Sequence, residues 1–360
     1  MDRRPPVLHH RVWADPMNHF LQLPAIRRRL AFQQVDAEKG LQALSVEKDF
    51  WVCWILRQLF NLPGIGEHLT FKGGTSLSKA WRLIERFSED IDLVVDKEVL
   101  GFGGSAAPDK ASSSNQRKKR LEDLMASGAN WVGGTLQSAL ETRTRDELGT
   151  EGWTLEVDPD IADGQCLLFH YPSVFPPTAA GYIPPRVKIE LGARSDDWPQ
   201  EEKPIRPYVL EQFPSLDVNA VTTVRVLAAE RTFWEKACLL HEETFRPSDK
   251  PRKLRMARHY YDLWCLLRAG LGERALGEKT LFARVAEHRQ IFFRQSWVDY
   301  STHRPGTFRL QPATHHLSDW KADYEAMRGP MFFGETPTFE EILEEVREFE
   351  RRFNETNRGA

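Results

Sequence analysis

One stretch of the chain, FKGGTSLSKAWRLIERFSEDIDLVV at residues 71–95, constrains the fold more than any other. A pair of glycines ends a short β-like run, a helical pattern covers SLSKAWRLIERF, and IDLVV has the apolar, β-branched composition of a buried strand. The stretch therefore predicts a strand, a glycine turn, a helix and a second strand. Because side chains alternate along a strand, Asp90 and Asp92 share one face while Ile91 and Leu93 enter the core.

Two carboxylates on one strand face repel each other unless a divalent cation or a basic side chain neutralises them, and Mg²⁺ prefers such oxygen ligands. An isolated Asp-x-Asp is more often a solvated strand edge. Here Gly73 and Gly74 let backbone N–H groups approach a phosphate, and Thr75 and Ser76 add hydroxyl donors at the start of a helix. No Gly-Lys-Ser/Thr follows, which argues against a P-loop NTPase and favours a nucleotide-transfer site.

A third acid would complete a two-metal site. In RVKIELG, at residues 186–192, alternation places Arg186, Lys188 and Glu190 on one strand face. Glu190 is therefore the predicted third ligand, beside Asp90 and Asp92, for two Mg²⁺ ions. The same pattern is equally typical of a strand with one solvated face.

The chain has 360 residues, more than one hydrophobic core usually supports, so two domains are predicted. The first, residues 1–220, is an α+β unit in which WTLEVD, CLLFHY and RVKIELG extend the sheet antiparallel, behind a buried helix over SVEKDFWVCWILRQLFNL. Within it, residues 101–120 are predicted to form a mobile surface loop, since large apolar side chains are scarce there. The second domain, residues 221–360, is predicted to be helical, with helices over VRVLAAERTFWEKACLLHEE, ARHYYDLWCLLRAG and TFEEILEEVREFERRF.

Composition narrows the class of protein only slightly. No run of about 18 apolar residues occurs, and MDRRPPVLHH at the N-terminus lacks the apolar region of a secretion signal, so we expect a cytoplasmic protein with no membrane association. A net charge of −3 excludes neither an enzyme nor a binding module, although Lys and Arg cluster in IRRRL, QRKKR and RPSDKPRKLRMAR. We predict core thiols rather than metal ligands or disulfides at all four cysteines, Cys53, Cys166, Cys238 and Cys265.

Four motifs in order carry a family resemblance: VEKDFWVCWIL, FKGGTSLSKAW with RFSEDIDLVV, ERTFWEKACLLH, and ARHYYDLWCL. The segment from about residue 46 to about residue 268 resembles the AbiEii/AbiGii family of nucleotidyltransferase toxins, in the polymerase-β-like superfamily. The resemblance implies a polymerase-β-like core with a mixed sheet, followed by a C-terminal helical domain. It also implies the toxin of a toxin–antitoxin or abortive-infection pair, which would transfer a nucleotide from an NTP to the 3′ end of tRNA and could have a winged-helix antitoxin as partner.

Carried onto this chain, the resemblance assigns the metal to Asp90 and Asp92, and its helical Glu-Lys pair and final motif fall on Glu235, Lys236, Arg258 and Asp262. Family members often have an acid where this chain has His259, so no role is assigned to that residue. The predicted nucleotide-binding residues are Lys72, Gly73, Gly74, Thr75, Ser76, Arg86 and Ser88.

The chemistry of the later motifs agrees with this assignment. Lys236 lies on an apolar helix, where burial is costly without an anion such as a triphosphate, although an isolated lysine usually extends its ammonium group into water. Asp262 could orient Lys236, Arg258 or a ribose hydroxyl. It could also form a simple salt bridge with Arg258, one helical turn earlier.

The basic stretch before the final motif is predicted to contact the phosphates of the RNA acceptor stem, with an affinity that falls as salt rises. A solvated loop is the alternative. The residues predicted to bind RNA are Arg252, Lys253, Arg255 and Arg258. Two other functions stay open: transfer to a small hydroxylated molecule or a protein side chain, and a degenerate nucleotidyltransferase that only binds nucleotides.

Overall fold

A computed structural model describes residues 16–176, 184–216 and 221–356. The N-terminal segment MDRRPPVLHH, read above as lacking a secretion signal, lies outside the described residues. Within them, no helix has both the length and the apolar character that a membrane span requires.

The described residues contain a seven-stranded mixed sheet of order β3-β4-β5-β2-β1-β7-β6. Its strands are β1 Leu69–Lys72, β2 Ile91–Val95, β3 Thr154–Val157, β4 Cys166–His170, β5 Arg186–Gly192, β6 Gln200–Ile205 and β7 Thr222–Leu227. β1 pairs antiparallel with β2 and parallel with β7, and β2 pairs parallel with β5. Antiparallel pairs join β3 to β4, β4 to β5 and β6 to β7, and the predicted mixed sheet is confirmed. The predicted extension is antiparallel from β5 to β3, but β5 itself joins β2 in parallel.

Helices cover the sheet and form most of the chain after β7. They are α1 Pro16–Leu21, α2 Ala25–Lys39, α3 Ala43–Phe60, α4 Gly73–Lys79, α5 Ser114–Asn130, α6 Gln137–Leu148, α7 Tyr208–Gln212, α8 Ala229–Glu243, α9 Arg258–Arg268, α10 Leu271–Gly277, α11 Lys279–Phe292, α12 Leu317–Met331 and α13 Phe339–Glu355. A π-helical segment, Trp131–Leu136, joins α5 to α6. The amphipathic C-terminal helix is confirmed as α13, which buries every residue of its predicted apolar face: Phe339, Ile342, Leu343, Val346 and Phe349.

The helix predicted over SLSKAWRLIERF is wrong in its second half, because α4 ends at Lys79. The following residues leave the helix through Arg82, whose φ is 56°. They then run to the C-terminal part of the chain, where Arg86 forms a bridge with Phe332 and Phe87 N–H donates to the Met331 carbonyl at 2.7 Å. These distant contacts outweigh the local helical preference.

The surface loop predicted at residues 101–120 is wrong only in its last part. Its last part belongs to α5, which Ser113 caps by accepting a hydrogen bond from Gln116 N–H at 3.2 Å. Its first part forms two short 3₁₀ turns around the buried Pro108. Arg120 joins the two parts by donating to the carbonyls of Ser105 and Ala107, each at 2.8 Å. Backbone capping and these side-chain hydrogen bonds connect the two parts of a stretch that contains few large apolar residues.

The change to helices falls a little later than predicted. VRVL was assigned to a helix, but it lies in β7, where Val224 and Val226 are fully buried on one strand face. Two hydrophobic clusters then divide the chain, one around the sheet with α2 and α3, the other around α8, α9 and α13. We therefore keep two domains as a proposal, with the boundary between β7 and α8.

All four cysteines have free thiols, and Cys53, Cys166 and Cys238 are buried as predicted.

Candidate active site

A cavity of about 300 Å³ opens where the sheet meets α8 and α9. It brings together most of the residues that the sequence nominates, although they come from distant parts of the chain. The predicted residues that line it are Lys72, Gly73, Gly74, Arg86, Ser88, Asp90, Asp92, Glu190, Glu235, Lys236, Arg255, Arg258 and His259. Of the remaining predicted residues, Asp262 contacts the cavity through Lys236, while Thr75, Ser76, Arg252 and Lys253 lie elsewhere.

Three acids meet at one wall of this cavity. Asp92 is on β2 and is in register with Glu190 on the parallel strand β5, and Asp90 immediately precedes β2. Burial, Glu89, Asp92 and Glu190 raise the pKa of Asp90 to about 7. Burial and Glu190 raise the pKa of Asp92 to about 6, although nearby cations including Lys72 oppose the shift. These carboxylates repel each other strongly, so a bound cation would stabilise their charged form.

The donor set fits a divalent cation only in part. Asp90 and Asp92 present the hard oxygen atoms that such ions prefer. The Glu190 carboxylate is held at 2.5 Å by the Lys188 ammonium group and is 45% exposed. Among the described residues no three His, Cys, Asp or Glu side chains form a group that could hold a metal. Asp90 and Asp92 therefore fit as ligands, whereas Glu190 would have to leave Lys188 to join them.

The two glycines have a steric role in the site. Gly73 has φ +79°, and a Cβ added there would collide with the carboxylate of Asp92. A Cβ on Gly74 would collide with the Arg86 guanidinium group and approach Ser88 Oγ to 2.9 Å. The glycines thus allow the strand acid and the buried arginine to approach the backbone at the start of α4.

The hydroxyl groups predicted to cradle a phosphate are used inside the protein. Thr75 Oγ1 lies 2.8 Å from Ser88 Oγ and donates to the Asp90 carbonyl at 2.5 Å. Ser76 Oγ donates to the Gly73 carbonyl at 2.9 Å. Both side chains are buried. In this structure they support the segment that carries Asp90 and do not face the cavity.

Asp262 holds two of the cations that line the cavity. It accepts two hydrogen bonds from Arg86, at 2.6 and 2.8 Å, and lies 2.8 Å from the Lys236 ammonium group. Burial raises the pKa of Asp262, but Arg86 and Lys236 together hold it well below its ordinary value. The sequence left open whether Asp262 orients Lys236, Arg258 or a ribose hydroxyl. In the structure Asp262 pairs with Lys236, and Arg258 lines the cavity.

His259 is a neutral partner of the same lysine. Its Nδ1 lies 3.5 Å from the Lys236 ammonium group. Burial and the neighbouring Lys236 and Arg258 lower the pKa of His259 well below its ordinary value. Because an ammonium group can only donate, Nδ1 accepts in this contact. The imidazole therefore helps to place Lys236 without adding a positive charge.

Two charged residues that line the cavity were missed by the sequence analysis. Glu89, next to Asp90, lines the cavity and pairs with Lys48 at 2.6 Å. Arg289 reaches the cavity from α11 and forms two hydrogen bonds with Glu242, at 2.7 and 2.6 Å. A signal for Glu89 was the charged triplet EKD in the apolar helix α3, since its lysine, Lys48, needs an acidic partner. Arg289 has no distinctive spacing in the sequence.

The four residues predicted to bind RNA fall into two places. Arg255 and Arg258 line the active-site cavity, and Arg255 has a left-handed backbone, with φ 64°. The Arg255 N–H donates to Asp323 on α12 at 2.6 Å, which fixes this turn. Arg252 and Lys253 line a separate cavity of about 280 Å³, where the Arg252 guanidinium group lies 3.9 Å from the centre of the Trp320 ring.

Comparison with known proteins gives a family. The model of a family described as nucleotidyltransferase AbiEii toxin, type IV toxin–antitoxin system, matches residues 54–345. Among solved structures, the nucleotidyltransferase toxin MenT4 from Mycobacterium tuberculosis is similar, with a TM-score of 0.41 and 17% identity over 92% of this chain and 98% of that chain. No curated protein matches the chain. Since the family model spans most of the sequence, this chain belongs to the AbiEii nucleotidyltransferase toxin family of type IV toxin–antitoxin systems.

Proposed function

We propose that this toxin transfers NMP from an NTP to the 3′-hydroxyl of RNA, at the 3′ end of tRNA, with release of pyrophosphate. The observation that carries the proposal is the division of charge in one cavity. Asp90 and Asp92 lie at the sheet wall of the cavity, and the wall formed by α8, α9 and α11 presents Lys236, Arg258 and Arg289 beside Glu235. The cations that line the cavity are Lys72, Arg86, Lys236, Arg255, Arg258 and Arg289. A triphosphate and its cation complement these two walls.

In the proposed reaction the RNA 3′-oxygen attacks the α-phosphorus of the NTP. A bond forms between these two atoms, and the bond from the α-phosphorus to the α–β bridging oxygen breaks. Pyrophosphate leaves with that electron pair, and the hydroxyl proton passes to water or to a carboxylate of the acid pair. Lys236, held by Asp262, supplies positive charge to the triphosphate as charge develops on the leaving group.

Asp90 and Asp92 would hold the Mg²⁺, with Glu190 as the proposed further ligand and two ions expected. Bound Mg²⁺ would lower the pKa of the attacking hydroxyl and neutralise triphosphate oxygens. The chain contributes the position of the ligands: Gly73 leaves room for the Asp92 carboxylate, and Thr75 supports the backbone at Asp90. The proposed nucleotide-binding set keeps Lys72, Gly73, Gly74, Arg86 and Ser88, all of which line the cavity.

The test is transfer of label from each of the four NTPs, in turn, to total tRNA in the presence of Mg²⁺. We expect labelled RNA with at least one NTP, and no label with tRNA whose 3′-terminal diol has been oxidised by periodate. An Asp90→Asn/Asp92→Asn variant is the control for a contaminating enzyme. No incorporation with any NTP would contradict the proposal, and label in protein instead of RNA would favour a protein side chain as acceptor.

The basic segment offers a second test of the RNA substrate. Arg252 and Lys253 line the separate cavity of this segment, and under the proposal their removal should weaken tRNA binding and make the slope of log affinity against log salt less steep by about one to two units. Arg252→Ser/Lys253→Ser should be compared with Arg347→Ser/Arg351→Ser on the exposed face of α13, which removes the same charge. Equal affinity and slope in both variants would indicate a solvated loop without RNA contact.

The family description places this chain in a toxin–antitoxin system. We propose a cognate antitoxin of the winged-helix type as its partner, and the cytoplasm, where NTPs and tRNA are found, as its location. Co-expression with the product of an adjacent gene should relieve growth inhibition by the toxin.

A further inference from the structure

Helix α3 contains three successive charged residues in an otherwise apolar, buried stretch. Glu47, Lys48 and Asp49 are only 1%, 3% and 5% exposed. Burial of a charge is costly unless a partner compensates it. The triplet must therefore be explained by what each side chain contacts.

Each of the three side chains contacts a different segment. Glu47 accepts from Ser173 Oγ at 2.6 Å and from Val174 N–H at 2.7 Å. Asp49 pairs with Lys79, at the end of α4, at 2.8 Å. Lys48 donates to Glu89 at 2.6 Å, and Glu89 is the only one of these partners that lines the active-site cavity.

The Lys48–Glu89 pair lies directly beside the acid pair. Glu89 precedes Asp90 in the chain, and both line the cavity. On one side of this segment Thr75 donates to the Asp90 carbonyl, and on the other Lys48 holds the Glu89 side chain. Lys48 itself does not line the cavity and contacts it through Glu89, but its charge also reaches Asp90: burial and the neighbouring acids raise the pKa of Asp90, and Lys48 opposes that rise.

We propose that Lys48 is a positioning residue for the active site: by holding Glu89, it keeps the Glu89 carboxylate from competing with Asp90 and Asp92 for the cation. This inference rests on the nucleotidyltransferase function proposed above. Without Lys48, Glu89 is an uncompensated acid at the edge of the cavity. It then turns toward the cation, which binds more tightly but in the wrong place for transfer. If the Lys48 charge acted on the cation only directly, Lys48→Met would instead change cation binding to the same extent with and without Glu89→Gln.

The experiment is a double-mutant cycle with Lys48→Met, Glu89→Gln and the combined variant. We expect Lys48→Met to lower kcat by about tenfold or more, and the added Glu89→Gln to restore most of it, since the amide removes the competing charge. Mn²⁺ alone, measured by electron paramagnetic resonance in the absence of nucleotide, should bind about threefold more tightly to Lys48→Met than to wild type, and the second substitution should reverse the change.

Asp49→Asn is the matched control, because it breaks the neighbouring buried pair on the same helix without contacting the cavity. It should lower the thermal unfolding midpoint and leave Mn²⁺ affinity unchanged. Equal or weaker Mn²⁺ binding in Lys48→Met, or a double variant no more active than Lys48→Met, would overturn the inference. If wild type transfers no nucleotide, the proposed function fails, but the Mn²⁺ comparison still decides the role of Lys48.

Discussion

Gly73 is the residue on which the position of Asp92 depends most directly. Its φ of +79° is unfavourable for any residue with a Cβ, and that Cβ would overlap the Asp92 carboxylate. We expect Gly73→Ala to lower the free energy of unfolding by about 1–3 kcal/mol and to abolish nucleotide transfer, because the backbone or the carboxylate has to move. Urea denaturation and the transfer assay measure the two effects.

Gly329→Ala is the matched control for that substitution. Gly329 lies on α12, and a Cβ there would meet no atom within 4 Å. Alanine favours a helix, but Pro330 follows and disfavours a helical residue with a Cβ, so this variant should change stability by less than about 1 kcal/mol and keep full activity. A Gly73→Ala enzyme with wild-type stability and transfer rate would mean that the contact with Asp92 does not constrain the site.

At the level of residues, the sequence is informative where local geometry decides. Alternation along β2 predicts that Asp90 and Asp92 lie together, and both line the cavity. The same reasoning could not foresee that Thr75 would bond to the Asp90 carbonyl rather than face a phosphate. The Thr75 hydroxyl bonds to the segment that carries Asp90, which follows α4 in the chain and approaches Thr75 only in the folded protein.

Asp262 joins three elements that meet at the site. It contacts Arg86 from the segment after α4 and Lys236 on α8, and it is itself on α9 with no exposed surface. Asp262→Asn leaves two buried cations without their anion, so we expect a loss of about 3–5 kcal/mol in the free energy of unfolding. Urea denaturation measures it, and a lowered NTP affinity should accompany it because Lys236 loses its orienting partner.

The control for Asp262→Asn is an ion pair on the surface. Glu348 pairs with Arg351 on the solvent face of α13, where both side chains are 54% exposed. Glu348→Gln should leave stability unchanged within the error of the measurement, since exposed pairs contribute little. If Asp262→Asn is equally silent, the three elements are held together by apolar packing and the ion cluster adds nothing to stability.

A helix or strand can be predicted from sequence when the pattern of its own apolar residues determines its structure. The prediction of α13 is confirmed because its apolar residues repeat at helical spacing and all pack in the hydrophobic cluster around α8, α9 and α13. The helix predicted after Gly74 fails beyond Lys79, where Arg86 is drawn into its buried pair with Asp262. Nothing in the local sequence reveals a partner so distant along the chain.

For the whole molecule, the sheet was harder to predict than its strands. β1 lies between β2, its near neighbour in sequence, and β7, which pairs with it in parallel at Phe71 and Val226. That parallel pairing crosses most of the first domain, and periodicity carries no information on such long-range pairing. VRVL was consequently assigned to the helical part of the chain, although it completes the sheet on which the acids lie.

Buried acids and buried histidines make the stability of the whole molecule respond to acid in opposite directions. Burial is the main cause of a pKa of about 3 in both His241 and His288, against an ordinary 6.5, so the unfolded chain binds their protons first and stability falls below about pH 6.5. Asp90 and Asp92, with pKa values of about 7 and 6 against 3.8, are protonated first in the folded chain, so their contribution rises in the same range. His259, whose pKa burial also lowers, adds to the loss, and Glu47 and Asp49, whose pKa values burial raises, add to the gain. We therefore expect the free energy of unfolding to change less between about pH 6.5 and pH 5 than either set of groups alone would produce.

His241→Gln should expose this balance. Nδ1 of His241 accepts from Arg309 N–H at 2.9 Å, and Nε2 lies 2.9 Å from Thr302 Oγ1, so the neutral ring is fully engaged in the folded protein. The substitution lowers stability at every pH but removes one proton that the unfolded chain gains in acid. Relative to wild type, the variant should therefore gain about 1 kcal/mol per pH unit as the pH falls from 6 to 5, in urea titrations without added divalent cation. His315→Gln, at an exposed position, is the control for loss of an imidazole. Curves of unfolding free energy against pH that stay parallel for wild type and His241→Gln would contradict a neutral His241 in the folded state.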